Sequence, residues 1–265
     1  MPPRCLIVPL LLLLPACGDA SPVTPDAAPA DASCDELVEQ RAQAVIGGAL
    51  DDGHGSIVAV NRLGAECVRA GDPWCTGTLV APDRVVTAAH CVDPPAAIFY
   101  GVLLGSTADG GYGYLGVGLE GRFFRVAHVR LHPGYDATTK ANDLAVVMLD
   151  QSADATPVPL LEASLDASDV GESLVVVGYG ESGEEPRFRK RVGDVVLTSV
   201  DASELRYEDA PAMTCSGDSG GPVLVPGGDG ERLAAVTSRG DTACVEYGIG
   251  VRVDLPDVQA WILAP

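Results

Sequence analysis

The sequence predicts an all-β fold, an antiparallel barrel or sandwich finished by one short C-terminal helix, and three observations predict it. Short valine-rich or alternating runs recur along the chain. They are punctuated by 31 glycines and 20 prolines. Only one late segment carries an apolar stripe at helical spacing. The runs fall at 56–60, 78–89, 123–131, 144–149, 173–178, 194–200, 222–225, 233–238 and 248–253. Each is bounded by Gly, Pro, Asp or Asn, and no long helical pattern separates them as it would in βαβ units. The exception is 254–263, where Pro256 falls in a first helical turn and Leu255, Val258, Trp261 and Ile262 share one face.

Composition narrows the function. With 265 residues and 47% hydrophobic content the chain has enough apolar surface for a sizeable core. A net charge of −20 repels phosphate backbones and anionic lipid surfaces, so nucleic acid is not an expected partner. Eight cysteines without a C-x-x-C pair point to an oxidising compartment rather than to zinc, and therefore to an exported protein. No metal or cofactor is expected.

The N-terminus carries its own export signal. Arg4 precedes an apolar run, 6–14, interrupted by Pro9 and followed by small residues, which reads as a signal peptide over 1–16. That run is too short to span a bilayer, which takes about 20 helical residues. The junction Leu14-Pro15-Ala16-Cys17 resembles a bacterial lipobox, which makes Cys17 the lipidation site and the membrane a partner through its acyl chains. Cleavage after Ala20 is the other reading, giving a secreted protein instead of a cell-envelope lipoprotein. The stretch 17–44, rich in Pro, Ala and Asp, is a solvated tether and propeptide. The globular domain is expected over 45–265.

Three strings carry chemistry. Thr87-Ala88-Ala89-His90-Cys91 brings a histidine to a strand end, and Asn142-Asp143-Leu144-Ala145-Val146-Val147 sets an acid at the mouth of a buried strand. Cys215-Ser216-Gly217-Asp218-Ser219-Gly220-Gly221-Pro222 is a glycine-rich loop around a serine. Any one alone reads as a structural histidine, a turn aspartate or a loop. Together, in the order His, Asp, Ser, they resemble the chymotrypsin/trypsin family of serine proteases, with the likeness running from Val45 to about Ile262.

The resemblance implies two six-stranded antiparallel barrels, about 45–155 and 156–253, a helix at about 254–263, and an active site between the barrels. It implies His90, Asp143 and Ser219 as the catalytic triad for a protein or peptide substrate. The N–H groups of Gly217 and Ser219 would form the oxyanion hole, and Ser238 would hydrogen-bond Asp143. It pairs Cys75 with Cys91 and Cys215 with Cys244. It matches Val45-Ile46-Gly47-Gly48 to the mature start, so a cut between Ala44 and Val45, made by an activating protease or by the chain itself, would pair Val45 with Asp218. Ala44 departs from the basic residue usual at such a cut. Met213, six before Ser219, would form the floor of the primary pocket, beside Thr214. Gly240 and Gly248 would leave its walls open, giving a preference for small to medium apolar residues. Arg239, where the family usually has Trp, and the acids Asp241 and Glu246 stand against that preference. Cys34 and Cys67 are left over and could pair, while His54, His128 and His132 read as bystanders. The rival expectation is a non-catalytic binding protein on the same scaffold.

Overall fold

The computed structural model describes residues 45–62, 74–95, 100–106, 121–180, 189–209 and 212–265. The signal segment, Cys17, the tether and the Cys34–Cys67 pairing lie outside them. The described strands are β1 (Ala49–Leu50), β2 (Ile57–Arg62), β3 (Cys75–Ala81), β4 (Arg84–Thr87), β5 (Tyr100–Leu104), β6 (Arg122–Leu131), β7 (Ala145–Leu149), β8 (Ser173–Gly178), β9 (Arg191–Val200), β10 (Glu204–Asp209), β11 (Pro222–Val225), β12 (Arg232–Gly240) and β13 (Tyr247–Arg252). One helix, α1 (Pro256–Leu263), follows.

They form two antiparallel barrels. The first closes in the order β2-β3-β4-β7-β6-β5. In the second, β9-β10-β13-β12-β11-β8 closes through a β8–β9 ladder, with β1 added at the edge of β9. Closure removes the sheet edges that would otherwise offer unpaired backbone groups. Strand β2 is buried at every residue from Ile57 to Val60, so its apolar run is continuous. Strand β6 alternates instead, with Phe124 and Val129 inward and Arg125 and His128 in solvent.

The differences from the sequence reading are local. The run at 78–89 is not one strand: β3 turns at Pro82 and Asp83 into β4, and a 3₁₀ turn, Ala89–Cys91, then carries the histidine. Strands β5 and β10 lay outside the expected runs. In β10 the inward Leu205 and Tyr207 alternate with Glu204, Arg206 and Glu208, and these charged outer residues hid the pattern. The segment at 45–50, assigned by sequence to the first barrel, belongs to the second. Val45 is buried in that core, Ile46 pairs with Met213, and β1 joins β9. His54 is no bystander: its Nδ1 lies 2.9 Å from Asp51 Oδ2 and its Nε2 lies 2.9 Å from Glu231 Oε2, which ties the start of β2 to the start of β12.

Helix α1 ends in a clamp. Its last carbonyls have no partners within the helix. Arg130 of β6 supplies donors to Trp261 O at 2.9 Å, Ala264 O at 3.1 Å and Pro265 O at 3.0 Å, while its guanidinium lies over the Trp261 ring. Charged hydrogen bonds of this kind contribute about 1.5–3 kcal/mol where water is excluded and less at a half-exposed site. Arg130→Met is therefore expected to lower the urea midpoint by the equivalent of about 1 kcal/mol; an unchanged midpoint would show the clamp to be idle. Among the described residues no helix is long and apolar enough to cross a membrane.

Candidate active site

The histidine is delivered by the 3₁₀ turn after β4 and the aspartate by the loop entering β7. These two strands are hydrogen-bonded, with Thr87 opposite Ala145, so His90 and Asp143 meet at one corner of the first barrel. His90 Nδ1 lies 2.7 Å from Asp143 Oδ2, and the backbone N–H of His90 donates to Asp143 Oδ1 at 2.9 Å. Ser238 Oγ, on β12, donates to the same Oδ2 at 2.6 Å. Asp143 has no solvent exposure. Burial by itself would raise its carboxyl, but the hydrogen bonds and charge of His90 and the Ser238 hydroxyl outweigh that and hold it below the usual carboxylate range.

The serine arrives on the loop before β11, and Thr76 of β3 fixes that loop to the first barrel. Thr76 N donates to Ser219 O at 2.8 Å, Thr76 Oγ1 donates to Gly217 O at 3.0 Å, and Tyr179 N donates to Thr76 Oγ1 at 3.0 Å. Cys91 Sγ, disulfide-bonded to Cys75, lies 3.8 Å from His90 Nε2 and 3.7 Å from Ser219 O, so imidazole and serine share one small region. Among the described residues no hydrogen bond joins Ser219 Oγ to His90 Nε2.

Gly217 holds φ at +93°, and a Cβ there would come within 2.7 Å of Gly180 Cα, so both conformation and space demand glycine. Among the described residues no protein acceptor takes the N–H of Gly217 or of Ser219.

Asp218 is fully buried. Its carboxylate accepts from Cys215 N at 2.9 Å and Gly180 N at 3.0 Å. Among the described residues no cation lies within ion-pair distance, and burial pushes its carboxyl from an ordinary 3.8 up to about 7 against those two hydrogen bonds. Asp218 and Val45 rest on the same β8–β9 ladder, Asp218 against Gly178 and Val45 against Gly193.

Beside Ser219 opens a cavity of about 200 Å³ whose lining includes Thr214, Cys215, Thr237, Arg239 and Gly240. Cys215 and Cys244 are joined across it. Two features differ from the sequence reading. Met213 does not line the cavity: its side chain is buried in the second-barrel core with Val45, and its backbone pairs with Ile46. Gly248 does not leave an opening, because a Cβ there would lie 2.3–2.6 Å from the ring and hydroxyl of Tyr207, which fill that space. Asp241 lines the cavity as expected, and its carboxylate, held below the usual range by accepting from the backbone N–H groups of Tyr247, Glu246, Val245 and Ala243, also shapes the loop carrying Cys244. Arg239 forms a two-pronged pair with Glu204 at 2.8 and 2.7 Å. Sequence reasoning missed Thr76 and Tyr207, whose roles depend on pairing between distant strands.

Cys75, His90 and Cys91 bring metal-ligating atom types together, but both sulfurs are in a disulfide, which leaves a lone imidazole and no ligand set.

A family model described as Trypsin matches residues 54–262. The chain belongs to the trypsin family of serine proteases. Among trypsin-family relatives, it is 30% identical over 193 residues to a trypsin of Saccharopolyspora erythraea, covering 67% of this chain and 80% of that protein. It is 28% identical to glandular kallikrein-10 of Rattus norvegicus, covering 75% and 86%. The solved structure of human heparin binding protein superposes with a TM-score of 0.65 at 21% identity, covering 82% of this chain and 94% of that one, a likeness of fold.

Proposed function

We propose that this protein is an exported serine endopeptidase in which Ser219, His90 and Asp143 form the triad, made as a precursor that is cut between Ala44 and Val45. The observation that carries this reading is the meeting of three separate strings at one corner: His90, Asp143 and Ser238 in one hydrogen-bonded chain, with Ser219 beside them on a loop where, among the described residues, the N–H groups of Gly217 and Ser219 have no protein acceptor.

A serine hydroxyl is a weak nucleophile at neutral pH. In this reading His90 Nε2 takes the Ser219 proton as Oγ attacks the substrate carbonyl. Asp143 meanwhile keeps the proton on Nδ1 and stabilises the imidazolium. The carbonyl oxygen, now negative, receives the N–H groups of Gly217 and Ser219. His90 then gives the proton to the departing amine, leaving an acyl-enzyme that water releases by the same steps in reverse. The contact between serine and imidazole commonly tightens only when substrate is bound, in keeping with the gap between Oγ and Nε2 here.

The precursor step rests on Asp218. A buried carboxylate without a counter-charge is costly, and the α-amino group released at Val45 is a cation for it on the same ladder. The sign is testable. In the uncut chain the folded state holds a proton on Asp218 that the unfolded chain releases near 3.8, so stability falls as pH rises from about 4 to about 7. Urea midpoints at pH 5 and 7.5 are expected to show this fall in the uncut protein and to lose it in Asp218→Asn; equal slopes would remove the argument.

Export through the segment 1–16, a lipid on Cys17 and an activating protease complete the proposal. Heparin is a polyanion and this chain carries a charge of −20, so the ligand in the name of the solved neighbour is not carried over. Treatment of the cut protein with a fluorophosphonate tests the whole reading. One covalent label on Ser219, absent in Ser219→Ala, is expected, and failure to label would favour a binding protein.

A further inference from the structure

Tyr207 stands directly opposite Gly248 in the β10–β13 pairing, with its ring over the glycine and its side chain wholly buried. Its Oη lies 2.8 Å from Thr214 Oγ1 and 3.2 Å from Thr237 Oγ1. Both threonines line the cavity beside Ser219, whereas Met213 is turned into the core. Below Thr214 and Thr237, therefore, the space that two glycine walls would leave for a long side chain holds a phenol. Burial also keeps that phenol neutral, pushing it up to about 12 despite the two threonine hydrogen bonds.

The hydroxyl protons can be counted. Tyr207, Thr214 and Thr237 carry one O–H hydrogen each, and the two contacts among them use two. With Tyr207 donating to one threonine and accepting from the other, the remaining hydrogen is on the threonine that accepts, at an end of the row. Both ends are threonines of the cavity wall, and neither has another protein acceptor among the described residues. A side chain entering the cavity thus meets a short floor that offers one O–H.

We propose that Tyr207 is the specificity-determining residue of this site, and that with Thr214 and Thr237 it restricts the acyl-side residue of the substrate to a short side chain bearing a hydrogen-bond acceptor, threonine or serine ahead of valine or alanine. The proposal rests on the reading of the chain as a Ser219 endopeptidase and names its substrate class.

The test uses the full-length chain after activation and matched peptides that differ only at the acyl-side residue: Thr, Val, Ala, Leu, Phe or Lys. Fluorophosphonate labelling is followed alongside. Thr and Val have nearly the same shape, so their ratio reads the hydroxyl alone, and kcat/KM is expected to favour Thr by about tenfold. Leu, Phe and Lys are expected to fall below Thr by about a hundredfold or more, because their extra atoms have no room below the threonines. Tyr207→Phe should bring the Thr-to-Val ratio close to one, since Thr214 and Thr237 lose the hydroxyl that orders them, while long side chains stay excluded by the remaining ring. Tyr207→Ala should raise Leu and Phe relative to Thr by about tenfold or more; if that variant does not fold, Tyr207→Phe decides. Wild-type cleavage after Leu, Phe or Lys as fast as after Thr, or a Thr-to-Val ratio that Tyr207→Phe leaves unchanged, would overturn the assignment of Tyr207. In those cases labelling of Ser219 would persist, whereas loss of labelling would strike the endopeptidase reading itself.

Discussion

Asp143→Asn is expected to lower kcat/KM at neutral pH by about 10⁴-fold, the scale of loss that this change brings to a Ser-His-Asp constellation in general, with little loss of folding. The geometry explains the asymmetry. Asp143 Oδ2 faces His90 Nδ1 at 2.7 Å and Ser238 Oγ at 2.6 Å, and its Oδ1 receives His90 N at 2.9 Å. An amide has one acceptor oxygen, and two backbone and hydroxyl donors compete for it. Its NH₂ group then faces the imidazole and favours the tautomer with Nδ1 bare and the proton on Nε2, where no base remains for Ser219. Steady-state kinetics and a thermal melt on the same sample check both halves. Activity within tenfold of the parent would show that the His90–Asp143 pair is structural.

The second large effect concerns the start of the folded domain. Protein beginning at Val45 is expected to exceed the uncut chain in kcat/KM by about 10²–10³-fold or more, the scale on which oxyanion donors act. Asp218→Asn should erase that gain by removing the partner of the new ammonium. Asp218 is held by Cys215 N and Gly180 N, and Gly180 is also the residue that Gly217 approaches so closely. The Asp218 carboxylate therefore bears on the same backbone that carries the N–H groups of Gly217 and Ser219. Mass spectrometry of the active species fixes its terminus, and full activity with Val45 internal would dismiss the precursor scheme.

Much of this was legible in the chain because the chemistry sits in short contiguous strings. His90, Asp143 and the loop around Ser219 could be named without any knowledge of strand pairing, and the valine-rich runs gave most of the strands. What remained hidden depended on register. The family resemblance places the pocket floor at Met213, six before Ser219, whereas the space is filled from β10, where Tyr207 meets Gly248 across a ladder that no local pattern announces. The charged outer face of β10 masked the strand itself. Thr76 reads as one more β-branched residue, and only the contact between barrels gives it three of its hydrogen bonds, those with Ser219, Gly217 and Tyr179. The tie that His54 makes to β12 is hidden because Glu231, its second partner beside the nearby Asp51, lies 177 positions away.

Thr76 also sets the mechanical character of the molecule. Its amide, hydroxyl and carbonyl are engaged by Ser219, Gly217, Tyr179 and Thr87, so β3 is riveted to the nucleophile's loop and to the neighbouring barrel at a single residue. Prising the halves apart would tear the very backbone that performs the chemistry. In the proposed reaction, the strand that pairs with the histidine's own strand therefore also carries the anchor of the serine's loop, and the two barrels are tied at the point where substrate would be cut.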